Sequence, residues 1–193
     1  MATTLLQREL RQTKPFESPA HEAILGLFRT ADCLRRHISG VVEPLGVTAQ
    51  QFNVLRILRG AGAEALPTLE IAQRMVEQTP GVTRLLDRLE AKHLIARQRC
   101  PHDRRQVLCR ITPIGLKLLA QLDGPVREAN EQALEVLPVA AQRQLTRLLD
   151  KIRAGSIGGL ERCRAGQGAS NESRAVGVIA SGAGRRHDRP LKE

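Results

Sequence analysis

Tryptophan and tyrosine are absent from this 193-residue chain, and phenylalanine occurs only at 16, 28 and 52. With so few flat rings it cannot build the platforms on which single-stranded nucleic acids and RNA-recognition sheets stack their bases. The four cysteines (33, 100, 109 and 163) include no Cys-x-x-Cys pair, so no dithiol redox motif is encoded and free thiols are expected. Cys100, His102, Asp103 and Cys109 lie close in sequence, but their spacing matches no metal-ligand pattern, and no metal is expected. No run approaches the ~18 to 20 apolar residues of a membrane span, and the first ten residues lack the apolar core of a signal peptide. A cytoplasmic protein is therefore expected. No nucleophile with its base, metal set or cofactor loop is visible, so neither enzyme activity nor a cofactor is expected. Gly60-Ala61-Gly62 follows a helical pattern rather than a strand and lacks the third glycine of a dinucleotide loop.

What the chain has in excess is positive charge, +10 overall. Residues 74–110 hold nine Lys/Arg against four acids, which is most of the excess carried by residues 21–154. A basic segment of that kind is the electrostatic footprint of a polyanion. With stacking platforms excluded, double-stranded DNA is the expected partner.

The length suits one core plus tails. Residues 1–17 read as an N-terminal arm, 18–154 as the folded domain, and 155–193 as a disordered tail. That tail holds eight of the 16 glycines and no apolar period. Ser18-Pro19 predicts a helix start, followed by Ile24, Leu27, Phe28, Ala31, Leu34 and Ile38 at helical spacing. Thr48-Ala49-Gln50-Gln51 is a capping box for a helix carrying Phe52, Leu55 and Leu58. Thr68 is expected to cap a short helix, and Thr79-Pro80 to open the next, whose Val82, Leu85, Leu86 and Leu89 form one apolar stripe. Residues 94–100 and 106–111 read as two strands. Thr112-Pro113 opens a long helix that Pro125 is expected to kink or interrupt, and Pro138 starts the last one.

Two short helices followed at once by an arginine-tipped hairpin form the order of a winged helix-turn-helix, within a mainly α fold. A helix entering the major groove needs small residues and donors near its N-terminus, which Thr79, Gly81, Thr83 and Arg84 supply, with Arg88 one turn on. Arginine at a hairpin tip reaches the minor groove; Arg104 and Arg105 are placed for it, with Asp103 orienting an arginine beside them.

Four segments carry a resemblance to the multiple antibiotic resistance regulator (MarR) family of bacterial winged helix-turn-helix transcription factors. They are Leu69-Glu70-Ile71-Ala72-Gln73-Arg74-Met75, Val82-Thr83-Arg84-Leu85-Leu86-Asp87-Arg88-Leu89-Glu90, Asp103-Arg104-Arg105 and Ile111-Thr112-Pro113-Ile114-Gly115. The resemblance covers about residues 20–154. It departs at His93, where the family usually ends the recognition helix with glycine; histidine tolerates the left-handed backbone better than most residues.

The resemblance implies a homodimer, built by the first and last two helices, on a pseudo-palindromic operator. It also implies a repressor released by a small aromatic or phenolic effector. The terminal helices, with more apolar positions than one small core needs, agree. A second stripe on the first helix, Gly26, Thr30, Cys33 and His37, makes Cys33 and His37 candidate effector-binding residues. Two alternatives stay open: a peroxide-sensing repressor of the same fold using Cys33, and a non-specific architectural DNA-binding protein.

Overall fold

A computed structural model describes residues 4–77, 81–101, 103 and 105–157. Thr79, Arg104 and the expected tail from 158 onward lie outside the described residues. Helix α1 (Leu5–Glu9) stands within the stretch expected to be an arm. Its Thr4–Gln7 capping box is complete, and Glu9 reaches Arg29 at 3.5 Å. Helix α2 (Pro19–Val42) begins where Ser18-Pro19 placed it, the Ser18 hydroxyl accepting from His21 N–H at 3.1 Å. Only Val42 of its 24 residues is buried, whereas Phe28 is 70% exposed.

After a 3-10 turn at Glu43–Leu45, helix α3 (Ala49–Gly60) starts on the Thr48/Gln51 box with both halves made. It is the spine of the core, burying Phe52, Val54, Leu55 and Leu58. Strand β1 (Leu66–Pro67), which two residues cannot announce in a sequence pattern, pairs antiparallel with the later hairpin. Helix α4 (Thr68–Arg74) follows directly, and Thr68 is not its cap. Pro67 holds that position without a side-chain bond, while the Thr68 hydroxyl turns to the Val107 carbonyl at 3.4 Å. β1 lies beside that strand, and the hydroxyl donates to this tertiary carbonyl instead of accepting from a backbone N–H of its own helix.

Helix α5 (Val82–Ala91) begins later than Thr79-Pro80 suggests. Gly81 is its N-cap at φ +98°, a left-handed conformation open to glycine at little cost. Strands β2 (Ile95–Arg99) and β3 (Val107–Ile111) form the hairpin, with Ile95 opposite Ile111, Arg97 opposite Cys109 and Arg99 opposite Val107. The sheet order is β1-β3-β2, all antiparallel.

Helix α6 (Pro113–Leu134) runs unbroken through Pro125, so of the expected kink or interruption the interruption does not occur. Pro125 sits on the exposed side, while Leu119, Leu122, Val126 and Ala129 are buried on both sides of it. Their packing outweighs the one hydrogen bond that proline removes. Arg59 of α3 clamps α6 by two bonds to Asp123, 2.7 and 3.0 Å, and holds that carboxyl below its usual range. A second unit begins at Val136; its helix α7 (Val139–Ile152) starts one residue after Pro138 and buries no residue. No helix among the described residues is long and apolar enough to cross a membrane.

The junction between hairpin and α6 fixes the hairpin to the core. His93 takes φ +57°, and the next carbonyl, of Leu94, accepts from Thr112 N–H at 3.1 Å. The Thr112 hydroxyl lies 2.7 Å from the His93 carbonyl and accepts from Gly115 N–H at 3.1 Å. A Cβ on Gly115 would stand 2.3 Å from the Leu94 carbonyl oxygen and 2.8 Å from Ile111 Cγ1. Backbone cannot yield as a flexible side chain can, so Gly115→Ala is expected to cost about 1 to 3 kcal/mol or more. A thermal melt should show a lower Tm; an unchanged Tm would mean that α6 does not pack this closely on Leu94.

Candidate nucleic-acid interface

The rotation of α5 about its axis is set by its apolar stripe. Val82, Leu85, Leu86 and Leu89 are at most 8% exposed, so at 100° per residue Thr83, Arg84, Asp87 and Arg88 must face outward, and all four are exposed. No acidic side chain occupies the first turn and no side chain caps it, leaving the helix's positive end open to phosphate. Gly81, expected as a small residue at the groove, is exposed and has a second duty as the left-handed cap.

The hairpin is locked to this helix by a residue that sequence reading counted only as charge. Arg97 of β2 is largely buried and spans two acids of α5: Nη1 lies 2.7 Å from Asp87 and Nη2 2.6 Å from Glu90. The guanidinium is held above its ordinary range chiefly by its hydrogen bond to Glu90, then by that to Asp87. Arg97 is thereby neutralised and positions the wing, while Arg84, Arg88, Arg99, Arg105 and Arg110 remain exposed. Beneath it Cys109 is fully buried, and burial pushes its thiol pKa up, which makes it a poor nucleophile.

Asp103 organises the described tip of the wing. One carboxylate oxygen accepts from Arg105 backbone N–H at 3.0 Å and the other from the Gln106 amide at 3.1 Å, while Gln106 N–H returns to the Asp103 carbonyl at 2.9 Å. It therefore fixes the backbone that carries Arg105. Cys100 N–H bonds to the Gln106 carbonyl at 3.0 Å and closes the loop from the other side.

A cavity of about 690 Å³ opens between α2, α3 and the turn after α4. Ala31, Leu34, Arg35 and Ile38 of α2 line it, with Phe52 and Arg56 from α3 and Glu77 from the turn. Cys33 and His37, the expected effector residues, are not among its lining: both are exposed, on the neighbouring face of α2. Cys33 Sγ lies 3.4 Å from an Arg36 nitrogen, and His37 Nε2 sits 3.1 Å from the Ala129 carbonyl of α6. The one-residue offset rotates them by about 100° from Leu34 and Ile38.

Asp103→Ala is expected to free the Arg105 and Gln106 amides, losing about 0.5 to 1.5 kcal/mol of local stability per bond. Amide hydrogen exchange should accelerate at the wing tip, and Asp103→Asn, which keeps one of the two acceptor oxygens, should retain most of the protection at Arg105. Equal exchange in parent and alanine variant would contradict the geometry.

Residues 47–107, spanning α3 to the start of β3, match the model of the MarR family. The multiple antibiotic resistance protein MarR of Salmonella typhimurium is 32% identical over 118 residues, covering 61% of this chain and 81% of that protein. Among solved structures, a MarR transcription factor from Planctomyces limnophilus is 39% identical with a TM-score of 0.56, covering 70% of this chain and 98% of that one. The structure of Bordetella bronchiseptica BpsR, described for regulation of its DNA binding by 6-hydroxynicotinic acid, is 26% identical with a TM-score of 0.61, covering 68% and 98%. The chain belongs to the MarR family of transcriptional regulators.

Proposed function

We propose that the protein is a homodimeric repressor that reads a pseudo-palindromic operator, with α5 of each copy in the major groove and the wing in the adjacent minor groove. The observation that carries this is the forced outward rotation of Thr83, Arg84 and Arg88 beside a wing whose tip backbone is fixed by Asp103. Arg84 is assigned to base edges, Arg105 with Arg104 to the minor groove, and Arg88 and Thr79 to the phosphate path beside them.

The dimer reading rests on surface that one copy leaves uncovered. Ile24, Leu27 and Phe28 form an exposed apolar face on α2, and Val139, Leu148 and Ile152 stay exposed on α7. Amphipathic helices of 24 and 14 residues that bury one residue and none are incomplete as monomer surface. Residues 18–154 are proposed as the working domain, and 155–193 as a tail that adds only non-specific attraction for DNA.

The effector site is assigned to the cavity beside α2 rather than to Cys33 and His37. It joins apolar walls to two arginines, which suits an aromatic or phenolic anion. The control of BpsR by 6-hydroxynicotinic acid, an aromatic acid, is in keeping with this.

Arg84→Ala is expected to cost about 1 to 3 kcal/mol on a duplex the protein selects from random sequence, and to relax base preference. Titrations of selected and random duplexes separate this from a phosphate contact, which would weaken both alike; unchanged affinity for both would overturn the assignment. A chain ending at Ala154 should sediment as a dimer at micromolar concentration and still bind the selected duplex. A monomer would refute the dimer reading.

A further inference from the structure

Asp123, Gly124 and Pro125 stand together near the middle of α6, and glycine and proline are the least favourable residues for a helix interior. Nothing in the packing asks for them. A Cβ built on Gly124 would meet no atom within 4 Å, so no close approach requires glycine, and Pro125 sits on the exposed side. Proline has no N–H to offer the Gln121 carbonyl one turn back, and its ring crowds that carbonyl. The helix is therefore softest over these residues.

The Arg59–Asp123 clamp closes on this same stretch, with two guanidinium nitrogens bonded to the carboxylate at 2.7 and 3.0 Å. Arg59 first, then Arg56 and Arg127, hold Asp123 below its ordinary range, so the clamp is a pair of full charges at neutral pH. On the two sides of it α6 has different neighbours. Ahead of it, Thr112 and Gly115 join the helix to the hairpin at Leu94. Behind it, the Ala129 carbonyl lies 3.1 Å from His37 Nε2 of α2, the helix whose exposed Ile24, Leu27 and Phe28 belong to the proposed dimer face. One attachment leaves a helix free to pivot, and two fix its direction. The Thr112–Gly115 junction is the first, and the clamp, ~12 Å further along, is the second. A turn of roughly 12° at Asp123 displaces Leu134, ~16 Å beyond it, by about 3.4 Å, the rise of one base pair.

We propose that Gly124-Pro125 is a hinge in α6, that the Arg59–Asp123 clamp splints it, and that these two side chains thereby set the half-site spacing the dimer accepts. This rests on the reading of the protein as a dimer with one reading helix per half-site. Arg59 and Asp123 are positioning residues, acting on DNA through the direction of α6. Their side chains are 35% and 49% exposed, so the pair adds little stability; its effect is on which helix direction is populated.

The first measurement needs no DNA. Amide hydrogen exchange in full-length Asp123→Ala should run at least fivefold faster than in the parent at residues 126–129, whose N–H groups span the hinge, and at the parent's rate in residues 52–58 of α3. Alanine is the better helix former, so faster exchange reports the lost clamp and not a weaker local helix. Gly124→Ala with Pro125→Ala, added to Asp123→Ala, should return the rate to the parent's or below. The second measurement titrates a duplex that the protein selects from random sequence, and copies whose half-sites stand one base pair closer or further apart. The parent should lose at least tenfold in affinity on the altered copies. Asp123→Ala and Arg59→Met should bind the selected duplex within threefold of the parent and lose less than threefold on the altered ones, and the added Gly124→Ala and Pro125→Ala should restore the tenfold penalty. Unchanged exchange at 126–129 in Asp123→Ala, clamp variants with the parent's spacing profile, or a loose profile that survives the two added alanines would each overturn the splint, as would a parent that tolerates altered spacing. A selected duplex with no second half-site would sink the dimer reading and the spacing role with it, while the exchange result still decides whether the clamp splints the hinge.

Discussion

The burial of four side chains on one side of α5 is the constraint from which the rest follows. Val82, Leu85, Leu86 and Leu89 go inward together, and a helix has no freedom to rotate once such a stripe is packed. Thr83, Arg84 and Arg88 then face outward without any interaction of their own to hold them there. The wing inherits this alignment through Arg97, whose fork joins β2 to Asp87 and Glu90 of the same helix. α5 and the hairpin thus share one frame, and Thr112 and Gly115 tie that frame to α6.

Charge in this protein is divided between structure and display. Arg59, Arg97 and Arg35 each have a carboxylate partner distant in sequence or on another element, and each ties together parts of the fold. Half-exposed pairs of this kind add little stability on their own. Their value lies in geometry, because each selects one relative placement of two elements. The Arg35–Glu77 pair differs in bordering a cavity.

Much of this was legible in the sequence, for reasons that are local. The Ser18, Thr48 and Thr112 caps are side chains bonding three residues ahead, and all three stand as expected. The α5 stripe and the alternation of β3 are periodicities, and His93 adopts the left-handed backbone that its place after the helix requires. The errors come from partners far along the chain. Thr68 abandons its helix for Val107, 39 residues away, and Pro125 is carried through α6 by packing that no window reveals. The Thr4–Gln7 box of α1 is a local signal too, but the segment around it shows no apolar period to mark a helix. For the site, the outward arginines followed from the stripe. The Arg97 lock and the Arg35–Glu77 tie, whose partners stand 42 positions apart, did not.

The central claim is that α5 lies in the major groove and the wing in the minor groove of the same half-site. Dimethyl sulphate interference on a selected duplex tests it directly, because the reagent methylates guanine N7 in the major groove and adenine N3 in the minor groove. The account predicts guanine interference in two blocks about one helical turn, ~34 Å, apart, each flanked by adenine interference where the wing reaches. Interference confined to one groove, or methylation of either groove leaving binding unchanged, would contradict it.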